Sequence, residues 1–140
     1  MKIVYAEKQS EIFAVVNIRK SVFVIEQNVS IEEELDELDY DARHFLIVSN
    51  DEYVGTARIV YNDDHVSIGR VAVLKEHRKH GYGAKLIQHL IDDIRNDGHK
   101  RILIGAQVQA LPFYEKLGFE QYGDIYLDAN IEHYHMELKL

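Results

Sequence analysis

An apolar segment that runs into a basic, glycine-containing turn and then a helix constrains this chain more than any other feature. The apolar residues are 71–74, the turn carries Gly81 and Gly83, and a helical pattern begins at about Gly81. Glycine has no side chain, so it permits a tight turn and a close approach of the backbone to a ligand. A helix that begins there presents unpaired N–H groups and about half a positive charge. The segment therefore predicts a cradle for a pyrophosphate or a similar anion.

The distribution of charge supports an anionic ligand at this turn. Residues 70–85 contain one acid, Glu76, and several basic side chains: Arg70, Lys75, Arg78, Lys79 and Lys85. The whole chain is acidic, with 16 Lys and Arg against 24 Asp and Glu and a net charge of −8. That balance argues against a general nucleic-acid-binding protein and is compatible with a cationic substrate.

The sequence argues against the common nucleotide-binding loops, cysteine-dependent sites, membrane spans and secretion signals. Gly83 is followed by Ala84-Lys85-Leu86, so the Ser or Thr of a P-loop and the third glycine of a Rossmann loop are both missing. The absence of cysteine rules out disulfides, thiolate metal sites and a Cys nucleophile. No apolar run approaches the length of a membrane span, and the N-terminus lacks a signal-peptide core. We therefore expect one cytoplasmic domain over residues 1–140, without membrane partners.

A second motif lies at residues 110–119 and has its own physical interpretation. Pro112 suits a first helical turn, where its missing N–H costs nothing. Phe113 and Leu117 are four residues apart, so they share a face that can pack on a sheet. Gly118 is a suitable helix stop, after which Phe119 returns to the core. Tyr114 then projects from a different face than Phe113.

These motifs resemble those of the GCN5-related N-acetyltransferase (GNAT) superfamily. Arg78-x-x-Gly81-x-Gly83 resembles its acyl-CoA loop, and residues 110–119 resemble its A-x-x-F-Y-x-K-x-G-F segment. The sequence R-x-x-V-F-V-x-E-Q-N-V from Arg19, followed by E-x-D-x-x-D and a strand that begins with His44, is similar to the ElaA and YjcF branch. The resemblance covers nearly the whole chain.

The hydrophobic patterns, interpreted with this resemblance, predict an α/β (α+β) GNAT fold. A mixed, mostly antiparallel sheet would be flanked by helices in the order β-α-β-β-β-α-β-α-β-β. The expected features include a helix capped by Ser10, a bulge at Gly55 and a long helix to Asn96, whose core stripe is Leu86, Ile87, Leu90, Ile91 and Ile94. The last strands are expected near 119–122 and 133–138, and residues 134–138 could pair across a homodimer.

The resemblance implies acetyl-CoA as co-substrate and an amine acceptor, and it assigns roles to particular residues. Peptide groups around Val71, Ala72 and Val73 would bind the pantetheine arm and polarise the thioester carbonyl. The pyrophosphate would be held by the loop residues Arg78, Lys79, His80, Gly81, Tyr82, Gly83 and Ala84. Tyr114 would be the acid that protonates the departing CoA thiolate.

The general base is less defined, and Glu26 and His133 are the candidates. Glu26 could instead be a helix-end carboxylate paired with Arg19, seven residues earlier. The acidic side chains Glu34, Asp36 and Asp39 could recognise a cationic substrate, or they could belong to a solvated loop. His133 and His135 share a strand face, but no motif supplies a third ligand, so we expect no metal.

Two alternatives to acetyl transfer remain open from sequence. The chain could be a non-catalytic acyl-CoA sensor that kept the cradle and lost the acceptor chemistry. It could also be an acyltransferase with a non-amine acceptor or a carrier-protein-linked donor.

Overall fold

The computed structural model of the protein describes all 140 residues. Seven strands form one sheet in the order β1-β2-β3-β4-β5-β7-β6. The strands are β1 (Lys2–Tyr5), β2 (Arg43–Ser49), β3 (Glu52–Tyr61), β4 (Val66–Val73), β5 (Arg101–Gln107), β6 (Glu120–Asp128) and β7 (Ile131–Lys139). Only β4 and β5 run parallel, so the expected mixed, mostly antiparallel sheet is confirmed.

The helices cover both faces of this sheet. They are α1 (Gln9–Arg19), which continues as a π-helix (Lys20–Glu26), then α2 (Ile31–Glu34), α3 (Tyr82–Asn96) and α4 (Leu111–Lys116). Short 3₁₀ turns lie at Glu37–Tyr40, Lys75–His77 and Val108–Ala110. None of the helices is both long and apolar enough to cross a membrane.

The core is divided between the two faces because strand side chains alternate. On one face, α3 buries the predicted stripe of five residues from Leu86 to Ile94 against β3 and β4, in a core cluster that also includes Phe45 and Ile47 of β2. On the other face, α1 buries Val15 and Ile18 against Leu46 and Ala72. The helix pattern of α3 therefore predicted its buried face correctly.

Of three local predictions, the bulge near Gly55 is confirmed, whereas the Ser10 cap and the exposed last strand are wrong. A register shift places Ile47 opposite Gly55 and Val48 opposite Tyr53, which confirms the bulge near Gly55. Ser10 is not the helix cap, because α1 begins at Gln9 and the Glu11 carboxylate accepts the N–H groups of the preceding turn. Residues 134–138 are not an exposed edge, since β7 lies between β5 and β6.

The splaying of β4 and β5 shapes the middle of the sheet. Their pairing consists of Val66 with Ile102 and Ser67 with Leu103, and the strands separate beyond these residues. β4 also bulges against β3, because Thr56 pairs with Ala72 whereas Arg58 pairs with Gly69. The two strands therefore open into a V near the C-terminal end of β4.

Candidate active site

The V between β4 and β5 is the floor of a cleft of about 940 Å³. The end of the π-helix, the loop before α3 and the start of α4 form its walls, together with the turn between β6 and β7. Nearly every predicted site residue contributes to the lining: Glu26, Val71, Ala72, Val73, Arg78, Lys79, Gly81, Tyr82, Gly83, Ala84, Tyr114 and His133. His80 is not part of the lining. The fold thus brings distant parts of the sequence to one site.

The backbone of β4 presents peptide groups to this cleft. The N–H of Leu74 donates to the Val54 carbonyl on β3 at 2.9 Å. Because successive N–H groups of a strand point to opposite sides, the N–H groups of Val73 and Val71 point away from β3. On that side β5 has already separated, so these donors face the cleft.

The loop before α3 contains the predicted cradle. Lys79 has φ of 70° and Gly81 has φ of 76°, which curves the backbone into a concave turn. The N–H groups of residues 79–84 make no hydrogen bond within the protein, whereas Lys85 donates to the Gly81 carbonyl at 3.1 Å. Six consecutive donors at a helix N-terminus form an arrangement suited to an anion.

The side chains of this loop have separate tasks. The Tyr82 hydroxyl lies 2.9 Å from the Ser49 hydroxyl and anchors the first turn of α3 to β2. The Arg78 guanidinium donates through Nε to the Val73 carbonyl at 2.8 Å and through its two terminal nitrogens to Glu26, at 2.7 Å each. Arg78 therefore links the loop to the π-helix through its side chain.

The contacts of Glu26 correct one prediction and limit another. Its partner is Arg78 and not Arg19, so the predicted helix-end pair is wrong. The hydrogen bonds from Arg78 lower the pKa of Glu26. A carboxylate with both oxygens engaged and a lowered pKa is a weak base, so Glu26 could accept a substrate proton only after this ion pair opens.

Tyr114 is half-buried at the opposite wall. Its ring makes edge contacts with Phe113 and Phe119, at centroid distances of 4.9 and 5.9 Å. The hydroxyl has no hydrogen-bond partner in the protein, and burial raises the pKa of Tyr114 to about 12. This phenol therefore stays protonated and can donate a hydrogen bond into the cleft at neutral pH.

His133 is 8% exposed, and its ring orientation defines its tautomer. Nδ1 lies 2.7 Å from the Ile131 carbonyl oxygen. Because a carbonyl only accepts, Nδ1 carries the proton and Nε2 of the neutral ring is an acceptor. Nε2 has no partner in the protein, and the Tyr126 ring stacks on the imidazole at 5.6 Å. His133 thus has the form that a general base requires.

The predicted substrate acids Glu34, Asp36 and Asp39 are engaged with arginines. Arg19 binds Glu34 and Asp39, Arg58 binds Asp36 and Asp39, and Arg70 binds Glu34 and Asp36. Glu34 is only 3% exposed, so the prediction of a solvated loop is wrong for this residue. Three positive and three negative groups compensate one another here.

Sequence reasoning missed other residues that line the cleft. Gln107 donates to Gln27 at 2.8 Å and accepts from Gln109 at 2.5 Å, which connects the π-helix to β5. The Tyr126 hydroxyl lies directly over Gly105, where a Cβ atom would overlap it. Gln27 lies within the R-x-x-V-F-V-x-E-Q-N-V segment, and Gln107 lies just before the motif at residues 110–119. However, 80 positions separate the two residues, and no spacing rule predicts their contact.

No group of three or more His, Cys, Asp or Glu side chains is arranged to hold a metal ion. The arrangement described above instead combines an anion cradle, inward-facing strand amides, a protonated phenol and an imidazole with an available nitrogen. This combination suits the transfer of an acyl group from an anionic carrier.

Comparisons with known proteins agree with this geometry. The family model of the acetyltransferase (GNAT) domain matches residues 2–140. The uncharacterized N-acetyltransferase YjcF of Bacillus subtilis is 35% identical over 97% of this chain and 98% of its own length. Protein ElaA of Escherichia coli is 34% identical over 89% of this chain and 84% of its own length.

Solved structures show the same fold. The crystal structure of Escherichia coli ElaA superposes with a TM-score of 0.83 at 29% identity, covering 97% of this chain and 96% of that one. An aminoglycoside 6'-N-acetyltransferase complexed with coenzyme A superposes with a TM-score of 0.80 at 18% identity, covering 99% and 97%. The matched family model and the relatives above 30% identity lead to one conclusion: this chain is an acyltransferase of the GNAT family.

Proposed function

We propose that this protein transfers the acetyl group of acetyl-CoA directly to a primary amine of a small molecule or peptide. The observation that carries the proposal is the run of six unpaired N–H groups at residues 79–84, next to the inward-facing amides of β4. In this arrangement the loop binds the pyrophosphate, and the Arg78 side chain holds the loop in place. The strand amides of Val71 and Val73 bind the pantetheine arm and the thioester.

The acceptor must lose a proton before it can attack. A primary amine with a pKa near 10.4 is almost entirely ammonium at pH 7. Nε2 of His133 takes this proton, directly or through a water molecule, because its ring already carries the other proton on Nδ1. This support is stronger than that for Glu26, whose two oxygens bind Arg78.

The amine nitrogen then attacks the thioester carbon. A C–N bond forms, and the carbonyl oxygen gains negative charge that the N–H of Val71 stabilises. As the C–S bond breaks, the Tyr114 hydroxyl donates to the sulfur. Complete proton transfer from a phenol of pKa about 12 to a thiolate whose thiol has a pKa near 8.5 is uphill by roughly 5 kcal/mol. The hydrogen bond that stabilises the thiolate is therefore the main contribution of Tyr114. The attacking nitrogen loses its second proton as the amide forms, and this proton ends on the sulfur, so that CoA leaves as the thiol.

The charge of the cleft supports a cationic acceptor. Glu33 of α2 and Asp128 at the end of β6 line it, and neither carboxylate is paired with an arginine. Glu34 also lines the cleft, but its charge is compensated by Arg19 and Arg70. An ammonium or guanidinium group on the acceptor would complement the two uncompensated carboxylates.

The test combines thermal denaturation with a thiol-release assay. Acetyl-CoA and CoA at a 100-fold excess over Kd should each add about 2.7 kcal/mol of stability, which raises Tm by a few degrees, whereas ATP should not. Tyr114→Phe should keep this shift and lose turnover with a panel of amines, while Tyr122→Phe on exposed β6 should keep both. Absence of a shift with both CoA species would overturn the proposal. A rise in Tm with no amine turnover would indicate a non-catalytic acyl-CoA sensor. Turnover only with carrier-protein donors would indicate an acyltransferase with a carrier-protein-linked donor.

A further inference from the structure

Arg70 has an unusual backbone conformation in the middle of β4. Its φ is 50°, and it lies in the bulge where Arg70 and Val71 together oppose Ala57 of β3. The first residue of such a bulge is usually glycine when φ is positive, and a side chain there strains the backbone. An arginine at this position therefore needs a compensating contact from its side chain.

The guanidinium of Arg70 supplies those contacts. It donates to the Glu34 carbonyl at 3.2 Å through Nε and at 3.0 Å through a terminal nitrogen. The same group lies 3.3 Å from the Glu33 carbonyl, 3.0 Å from the Glu34 carboxylate and 3.2 Å from the Asp36 carboxylate. Arg70 thus ties the β4 bulge to the end of α2, across the wall of the cleft.

The partners of Arg70 are themselves held in place. Arg19, which is 2% exposed, binds the Glu34 carboxylate and also donates to the Glu34 carbonyl at 2.7 Å. Arg58, which is 5% exposed, binds Asp36 through two nitrogens at 2.7 and 3.0 Å. Buried groups with several charge-assisted hydrogen bonds have little freedom to move, so the tether of Arg70 ends on a rigid support.

We propose that Arg70 is a positioning residue for acyl transfer. Through these contacts it fixes the β4 bulge, and the bulge aims the N–H of the next residue, Val71, at the thioester carbonyl. This inference rests on the proposed function, because Val71 has a catalytic task only if a thioester lies in the cleft. In this view the acidic E-x-D-x-x-D segment holds the side chain of Arg70 and does not recognise the substrate.

The decisive variant is Arg70→Gly. Glycine adopts positive φ without strain, so this change relieves the backbone while it removes the tether. Loss of an oxyanion donor lowers kcat by about 100- to 1,000-fold, and a misaimed donor should cost less, roughly ten- to a hundredfold. KM for acetyl-CoA and the CoA-induced rise in Tm should stay close to wild type, because the cradle at residues 79–84 is unchanged. Arg70→Lys keeps the charge and should recover part of kcat.

Two controls separate positioning from stability. Asp51→Gly relieves a φ of 62° in the exposed turn between β2 and β3 and should leave kcat unchanged. Asp39→Asn weakens the support without touching Arg70. It should lower Tm, while its kcat should fall much less than that of Arg70→Gly. The inference is overturned if Arg70→Gly keeps wild-type kcat, or if Asp39→Asn lowers kcat as much as Arg70→Gly. It is also overturned if Arg70→Gly loses the CoA-induced shift together with kcat. A wild-type protein without turnover would instead refute the proposed function itself.

Discussion

Glu26 and Arg78 form a two-pronged ion pair, 2.7 Å at each contact, between the end of the π-helix and the loop before α3. The residues are 52 positions apart in sequence. Arg78 also donates to the Val73 carbonyl at 2.8 Å, so a single side chain connects the π-helix, the loop before α3 and β4. The Arg78 side chain therefore links the two sides of the cleft.

Replacement of Glu26 by glutamine should weaken binding of acetyl-CoA without removing catalysis. Both side chains of the pair are about one-third exposed, and such pairs are worth up to about 1 kcal/mol, or roughly a two- to fivefold rise in KM. Steady-state kinetics of Glu26→Gln, with Glu120→Gln on exposed β6 as control, test this expectation. A fall of 100-fold or more in kcat would instead identify Glu26 as the general base.

Replacement of His133 by glutamine should lower kcat by about 100- to 10,000-fold, because the Nε2 acceptor is lost. The CoA-induced rise in Tm should remain. His135→Gln is the matched control, since His135 also stacks on Tyr126, at 4.2 Å, and is exposed. Added imidazole should restore part of the activity of His133→Ala. Equal losses in the two glutamine variants would mean that the ring stack, and not the base, had been disturbed.

Asp39 should make the protein sensitive to acid. Burial disfavours its charged form, but hydrogen bonds and charge from Arg19 and Arg58 outweigh burial and lower the pKa to about 2. A lowered pKa stabilises the fold above the unfolded value near 3.8, and the stabilisation disappears as pH falls through 2. Its size is about 2 kcal/mol. Urea unfolding from pH 7 to pH 2 should show the same loss of stability in wild type and in Asp51→Asn, and a loss smaller by about this amount in Asp39→Asn. Other carboxyl groups with lowered pKa, such as Asp36, keep the remainder.

Gly105 and Tyr126 should be coupled. A Cβ at Gly105 would overlap the Tyr126 hydroxyl, whereas the ring carbon Cζ is 3.6 Å away, which is an ordinary contact. Gly105→Ala should therefore cost about 1–3 kcal/mol of stability, and Tyr126→Phe should relieve most of that cost. A double-mutant cycle by chemical denaturation measures the coupling. Additive single effects would show that Tyr126 moves aside without strain.

The local features of this protein were predictable from sequence. The 3.6-residue repeat of α3 predicted which of its side chains are buried, and the two glycines predicted a concave loop before it. Both features depend on residues within a few positions of one another. The order of elements and the family also followed from the two motifs and their order. Tyr114 was identified from the second motif and His133 from its place at the start of the last strand, and both line the cleft.

The pairing of charges and the shape of the cleft were decided only by tertiary structure. With 24 acids and 16 bases, sequence spacing cannot select Arg78 as the partner of Glu26, or three arginines as partners of the acidic segment. Which charges meet depends on distances set by sheet order and packing. The point at which β4 leaves β5 was also decided by tertiary structure. The two strands pair only as far as Ser67 and Leu103, and no residue type in either strand marks this position because it depends on how the whole sheet packs.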